Sequence, residues 1–352
     1  MGRFDEKYCV RRATENDIGA IMDFIGRFWS PGHIMSVDRA YFEYEFLTEE
    51  GVNFVIAVDR LTESIQGIRG LLFSAADKEK RDMWGSIWKA NSGGGNFPLL
   101  GTEIRKRTAA LFPFRYNLGV GQNMNTTRIA GGFFGKKIVR LKHFYRLNPD
   151  IKEFRIALIK SPGLFKAQAP EGADSSFAVR VGSIGEVRDR IDIDIEAVDS
   201  VPYKDFWFIK HRYFDHPRYE YRLYALGKKG ERSSALMVMR EVSIEGSRAL
   251  RVIDYIGDQE PIGGLYGFFA GMLYEGQYEY VDFYEYGFDE ELLRNAGFRD
   301  RYSEGDENII PNYFEPFVRE NKDLSGFMDS DINSTIFKGD GDQDRPNIPE
   351  KK

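Results

Sequence analysis

The stretch Met83-Trp84-Gly85-Ser86-Ile87-Trp88-Lys89-Ala90-Asn91-Ser92-Gly93-Gly94-Gly95-Asn96-Phe97-Pro98 decides how the chain is read. Its first part, Met83–Lys89, is an apolar and aromatic run of strand character. A glycine-rich loop follows, then a helix with apolar positions Leu100, Ile104 and Leu111. Consecutive glycines let backbone N–H groups approach an anion closely. The start of the next helix adds free donors and a partial positive charge. Strand, glycine loop and helix in this order suit a pyrophosphate; a plain surface turn is the alternative that three glycines alone would support. The spacing differs from GxxxxGK[ST], and the loop holds no GxGxxG, which speaks against nucleoside triphosphates and dinucleotides.

Working outward, Tyr8–Ala13 reads as a strand, and Thr14 with Asp17 as a capping-box-like helix start. Ile18, Ile21, Met22, Ile25 and Trp29 fall on one helical face. Pro31-Gly32 ends that helix, and Ser36 caps a second over about Val37 to Leu47. Asn53–Asp59 and Ile65–Ser74 are further strands. Beyond the loop come a strand at Tyr116–Val120, a helix at about Asn123–Phe133 and a strand at Lys137–Arg146. From Ser200 the order returns: a helix at Tyr203–Tyr213 and strands at Tyr219–Leu226, Ser233–Val242 and Ala249–Gly257. A helix after Pro261, a strand at Tyr278–Glu285 and a short helix at Asp289–Asn295 follow. Two series in one order predict two copies of one fold. The fold class is α/β (α+β): two tandem domains, each a mixed, mostly antiparallel sheet flanked by helices. The expected domains are 1–148, cut at Asn148-Pro149, then 149–337 with a linker-like patch at Ala167–Ser176. A polar tail without regular structure, 338–352, ends the chain.

The 352 residues carry 49 basic and 55 acidic groups, a net charge of −6. That balance counts against nucleic-acid binding, which needs a surplus of Lys and Arg on one face. The single cysteine, Cys9, excludes an internal disulfide and is expected as a buried small residue. Four histidines without paired ligand spacing give no zinc signature. No signal peptide and no long apolar span are visible, so a cytoplasmic protein is expected.

At the glycine loop the chain resembles the GNAT superfamily of N-acetyltransferases, whose Arg/Gln-x-x-Gly-x-Gly/Ala loop holds the coenzyme A pyrophosphate. Ser92-Gly93-Gly94-Gly95-Asn96 occupies the equivalent place, and Phe133-Phe134-Gly135 looks like the family's exit before the last strand. The resemblance covers about residues 7–147. Residues 200–300 look like a degenerate copy, with Asn295-Ala296-Gly297-Phe298 as its exit. There Gly257-Asp258-Gln259-Glu260-Pro261 replaces the pyrophosphate loop with carboxylates that would repel a diphosphate. The resemblance therefore implies acetyl-CoA, or another acyl-CoA, in the first half only, against Trp88, Lys89, Ser92, Gly93, Gly94, Gly95, Asn96 and Asn125. Where many members carry a Tyr general acid before the exit glycine, this chain has Gly131 and, in its second half, Leu293.

More narrowly, the chain is similar to tandem acetyltransferase-like proteins of surface-polysaccharide gene clusters. Pro31-Gly32-His33-Ile34-Met35-Ser36, the run Ile309 to Phe317, and Asp340 to Asn347 carry that likeness. It implies N-acylation of an amino group on a nucleotide-linked or lipid-linked sugar. An amine arrives protonated and needs a base. His33, after Pro-Gly between two helices, is the first candidate; a histidine hydrogen-bonded in its turn is the alternative. Asp282, Glu285, Asn312, Asp342, Asp344 and Arg345 are the expected acceptor ligands, with Arg345 as a bidentate contact. His143 reads as a packed strand residue, and His211 and His216 as members of an aromatic cluster. The expected partner is a small sugar substrate, with a homodimer left open. An O-acyltransferase, an aminoacyl-tRNA-dependent transferase and a non-catalytic sugar-binding protein are the competing readings.

Overall fold

The computed structural model describes residues 3–93, 95–161, 169–192, 195 and 200–349. The chain separates into two compact units, one of Met1–Leu118 with Arg345–Lys352, the other of Gly119–Asp344. The division falls earlier than the expected cut at Asn148, and the reason is strand pairing, as described below. Among the described residues no helix is long and apolar enough to cross a membrane.

In the first unit, strand β1 (Tyr8–Arg12) leads through a Thr14–Asp17 capping box to helix α1 (Ile18–Phe28). A one-turn helix α2 (Ile34–Val37) and helix α3 (Arg39–Phe46) follow. The sequence reading placed one helix here, capped by Ser36. In the structure His33 caps α2 and Asp38 caps α3, each accepting a backbone N–H. Asp38 sits in extended conformation, which ends one helix and starts the next. Strands β2 (Phe54–Asp59), β3 (Ile65–Phe73) and β4 (Met83–Ala90) form an antiparallel meander on β1. Helix α4 (Leu100–Leu111) returns the chain to strand β5 (Asn117–Val120), whose Asn117 and Leu118 pair parallel with Met83 and Trp84.

Both faces of this sheet are covered. Ile18, Ile21, Phe24, Ile25, Phe42 and Phe46 of α1 and α3 pack on Phe54, Ile56, Ile68 and Ile87. Leu100 and Ile104 of α4 pack on the other face against Val55, Ala57, Leu71 and Met83. Fully burying one such side chain is worth about 1.5–3 kcal/mol. Cys9 is only half-buried, because β1 pairs with β2 alone and lies at the edge.

In the second unit, helix α5 (Met124–Phe134) ends on Gly135, which adopts φ 59° as a left-handed cap. The expected strand Lys137–Arg146 is two strands, β6 (Lys137–Arg140) and β7 (Lys142–Leu147), broken at Leu141. β7 then pairs antiparallel with the strand at Tyr280–Tyr286. This pairing carries residues before Asn148 into the second unit. β8 (Ser176–Val181), β9 (Tyr221–Lys228), β10 (Ala235–Ile244) and β11 (Ser247–Gly257) make the second meander. The helix expected from Tyr203 starts later, as α6 (Phe206–Ile209), because Asp205 caps it. Helix α7 (Tyr266–Gly276) leads to β12 (Tyr280–Tyr286), parallel to β11 over Leu250–Val252. Near the C-terminus, β13 (Ser325–Met328) pairs with β6 and with Gly119 and Val120, and β14 (Ile336–Phe337) pairs with β12. The tail expected to lack regular structure has no helix or strand after Phe337 among the described residues. It is nonetheless packed: Lys338, Asp340, Asp344 and Arg345 are buried. Of the linker-like patch Ala167–Ser176, residues 167 and 168 lie outside the described residues.

Candidate functional site

Strand β4 of the first unit pairs with β5 only at Met83 and Trp84, although it runs on to Ala90. Its edge beyond Trp84 is therefore free of the β5 ladder. On its other side Arg69 of β3 faces Trp88 and Leu71 faces Gly85. Ser86 and Ile87 thus stand opposite the single residue Gly70, a β-bulge that releases backbone polar groups from the ladder. Gly70 is held to glycine by packing: a Cβ there would meet Phe54 at 2.9 Å and Phe46 at 3.1 Å.

Three side chains meet at this bulge. The Arg345 Nη1 group donates to Glu45 Oε1 at 2.6 Å and to Ser86 Oγ at 3.1 Å. The side chains of Arg345 and Glu45 are 4% and 8% exposed. Glu45 Oε2 is buried with no hydrogen-bond partner among the described residues. A half-satisfied buried carboxylate keeps lone pairs for a proton. Neither Glu45 nor Ser86 was singled out from the sequence. A signal existed: Glu45 comes four residues after buried Tyr41 and three after Phe42, so it lies on the apolar face of α3.

Gly95 adopts φ 73°, a conformation that favours glycine. Lys7 Nζ donates to its carbonyl at 2.7 Å. Asn96 is bound inward, by Tyr8 Oη at 2.7 Å and Gln66 Oε1 at 2.8 Å, and the Gly93 N–H is taken by Asn91 Oδ1. Asn96 and Gly93 therefore shape the loop. Gly94 lies outside the described residues, and Ser92 is exposed. No side chain caps α4, whose Leu100 N–H is taken by the Phe97 carbonyl at 3.1 Å. Trp88 packs on this helix, its Nε1 donating to Gly101 O at 3.0 Å, and Lys89 follows it on β4. Asn125 is exposed on α5 of the second unit.

His33 is occupied at both ring nitrogens. Nδ1 accepts the Met35 N–H at 3.2 Å, and Nε2 lies 3.2 Å from Asn347 Oδ1. With Nδ1 accepting, the ring proton sits on Nε2 and donates to Asn347. Both ring nitrogens are thus engaged, the arrangement of the alternative reading, a histidine hydrogen-bonded in its turn.

The second unit repeats the bulge. Val238 faces Asp254 and Met239 faces Val252, so Ile253 is the extra residue of β11. Its parallel strands β11 and β12 also part after Val252 and Phe283. Here the gap is filled by the chain: Phe337 and Ile336 pair with Glu285 and Tyr286, and the Gly339 N–H donates to Ile253 O at 2.7 Å. A Cβ on Gly339 would meet Ile253 Cγ2 at 2.7 Å and its carbonyl at 2.9 Å.

The expected acceptor ligands are engaged as follows. Asp282 is fully buried and receives Arg251 at 2.7 and 2.9 Å, with His143 Nε2 at 3.0 Å. Burial opposes its ionisation, yet the Arg251 guanidinium holds the carboxyl down to about 2. Burial lowers His143 to about 4 in spite of Asp282, and its ring stacks on Tyr284 at 3.8 Å. Glu285 is buried, accepts the Phe288 N–H at 3.0 Å, and is pushed by burial up to about 7. Asp344 accepts Arg240 at 2.7 Å and Tyr221 Oη at 2.8 Å. Asp342 accepts from Gln343. Asn312 is buried, and its backbone carbonyl receives Arg251 at 2.8 Å. Asp282, Asp344 and Arg345, expected to grip a ligand, form internal ion pairs instead, because buried charges need partners.

No protein-family model and no curated protein matches the chain. Among solved structures it is similar to a GCN5-related N-acetyltransferase from Anabaena variabilis ATCC 29413, at 10% identity and a TM-score of 0.51, over 92% of this chain and 72% of that one. It is also similar to a conserved protein of unknown function from Enterococcus faecalis V583, a probable N-acyltransferase, at 8% identity and a TM-score of 0.52, over 91% of this chain and 71% of that one. Both likenesses concern the fold, which is the α/β fold of GCN5-related N-acetyltransferases read from the sequence.

Proposed function

We propose that the chain is an acyltransferase whose first unit takes its acyl group from an acyl-coenzyme A, acetyl-CoA in the simplest case, and delivers it to an amine. The observation that carries this reading is the free edge of β4 with the Glu45–Arg345 pair at its bulge. Coenzyme A fits that edge on three counts. The strand lacks a ladder partner on its β5 side beyond Trp84, Gly95 lets backbone approach an anion, and α4 offers an N-terminus without a side-chain cap to a pyrophosphate. Residues of the loop and the first turn of α4 would hold it, with Lys7 adding positive charge. The second unit has its corresponding gap closed by Ile336–Gly339, which leaves the coenzyme to the first.

Bound there, the coenzyme supplies an acyl group activated as a thioester. The protein's own part follows from its residues. Glu45 Oε2 takes the proton of an incoming ammonium, so that the amine has a lone pair. Arg345 fixes Glu45 through Oε1 and keeps the second oxygen aimed away from itself. A backbone N–H freed by the Ser86–Ile87 bulge is the kind of fixed donor that stabilises charge on an acyl oxygen. The acceptor class is carried over from the likeness noted in the sequence: an amino sugar linked to a nucleotide or a lipid.

The test is acetyl transfer from acetyl-CoA to a panel of nucleotide-linked amino sugars, followed by release of free thiol. Turnover by the wild type and its loss in Glu45→Gln support the reading. Tight binding of acetyl-CoA without turnover on any amine would remove it.

A further inference from the structure

The second unit holds buried polar atoms that the protein leaves without partners. Tyr280 and Tyr284 leave β12 on the face that carries Asp282, both fully buried, and neither hydroxyl has a hydrogen-bond partner among the described residues. Asn312, 2% exposed, lacks a partner at Oδ1 and at Nδ2. Lys338, also 2% exposed, makes one long hydrogen bond, 3.3 Å to Gln343 O. Its Nζ lies 5.8 Å from the Tyr284 ring and 5.8 Å from the Tyr313 ring. The Arg251 guanidinium ties the group together, 5.7 Å from the Tyr284 ring and hydrogen-bonded to Asn312 O. Nearly all buried polar groups in proteins are paired, so several orphans around one spot call for a reason.

The charges give it. Arg251 is neutralised by Asp282 and Arg240 by Asp344. His143 is kept neutral by burial. Lys338 has no carboxylate within ion-pair distance among the described residues. One ammonium is left uncompensated in a polar cluster, with the Tyr284 O–H and the Asn312 amide unspent near it. That set lacks a single negative charge with several acceptor lone pairs.

We propose that this cluster is a binding site for a small molecule bearing one carboxylate, which accepts from Lys338, Tyr284 and the Asn312 amide. The site lies wholly in the second unit and stands independently of the coenzyme reading. Binding is coupled to a proton. Burial, and then Arg251, lower Lys338 to about 7; Arg240 adds to this, while Asp344 and Asp282 oppose it. A bound carboxylate returns the amine towards its ordinary range. Binding at pH 8 therefore takes up close to one proton, and binding at pH 6 takes up almost none.

Calorimetry on the full-length protein tests this with acetate and D-glucuronate as probes and D-glucose as the uncharged control. Titrations at pH 6 and pH 8 in two buffers of different ionisation enthalpy read the proton count. The expected result is saturable binding of the carboxylates alone, with proton uptake only at pH 8. Lys338→Met should weaken it at least 100-fold and leave coenzyme affinity in place. Should that variant not fold, Tyr284→Phe decides, with an expected loss of roughly tenfold, the usual scale for one hydrogen bond to a charged group. Absence of carboxylate binding, equal binding of glucose, or wild-type affinity in either folded variant would overturn the proposal.

Discussion

Arg345 and Glu45, 300 residues apart in sequence, form a buried ion pair whose guanidinium also reaches Ser86 at the bulge of β4. The pair sets two effects against each other. Glu45→Gln keeps a neutral acceptor for Arg345 and removes the proposed base. Turnover should fall by about 10²–10⁴-fold with coenzyme affinity nearly unchanged. Arg345→Met instead strands a buried carboxylate, and unfolding should become easier by about 3–5 kcal/mol. Urea titrations beside steady-state kinetics separate the two; a Glu45→Gln enzyme of full activity would remove Glu45 from the reaction.

Gly95 is the loop position where backbone conformation demands glycine, at φ 73°. Gly95→Val would force this turn out of shape, at a cost of about 1–3 kcal/mol in stability, and should weaken coenzyme A binding to the folded protein at least tenfold. Equal affinities for the two proteins by calorimetry would mean that the loop does not touch the coenzyme.

Gly339 has no room for a side chain against Ile253 and Tyr213. Gly339→Val should destabilise the second unit by about 1–3 kcal/mol, the usual range for overpacking. Coenzyme affinity should not move, because the proposed coenzyme site lies in the first unit. A fall in coenzyme affinity at unchanged stability would place the coenzyme in the second unit after all.

Glu285 makes a signed prediction about pH. Its carboxyl is raised to about 7 in the folded protein, against an ordinary value of about 4.3. Between those values the folded state holds a proton that the unfolded state has released. The stability this group contributes is complete at low pH and is lost as pH rises to 7. Glu285→Gln lacks that decline. The stability of the variant relative to wild type should therefore climb from pH 4.5 to pH 7 and then level off. A difference that stays flat over this window in chemical denaturation would show that Glu285 is not protonated in the native state.

The strands and most helices were legible because their periodicity is local. Ile21 and Ile25 announce α1, and the Val and Ile runs of the meanders announce β2, β3, β10 and β11. The expected cut at Asn148 took no account of Lys142–Leu147 joining β12, a partner more than 130 residues downstream that no local pattern names. Turn chemistry decided smaller points: Asp38 and Asp205 caught backbone N–H groups and moved two helix starts. The site was less legible. His33 stood out as a histidine in a Pro-Gly turn, yet both its nitrogens are spent in holding the chain. Glu45 was visible only as an acid on an apolar face, and its meaning depends on Arg345 arriving from the far end of the sequence. The tail was read from composition, which records polarity and not the partners that satisfy it.

The passage of Arg345 and Asn347 back to α2 and α3 also governs when the first unit is finished. A ribosome releases residues 1–118 long before it reaches Arg345. At about 5–20 residues per second the wait is roughly 10–50 s. Throughout that interval Glu45 has no counter-ion and Ile34 no acceptor for its N–H, which in the finished protein is the Asn347 carbonyl. The nascent first unit is thus a sheet with an open seam, which closes only after the second unit has been made. Any catalytic competence of the Glu45 site is withheld until translation of the second unit is complete.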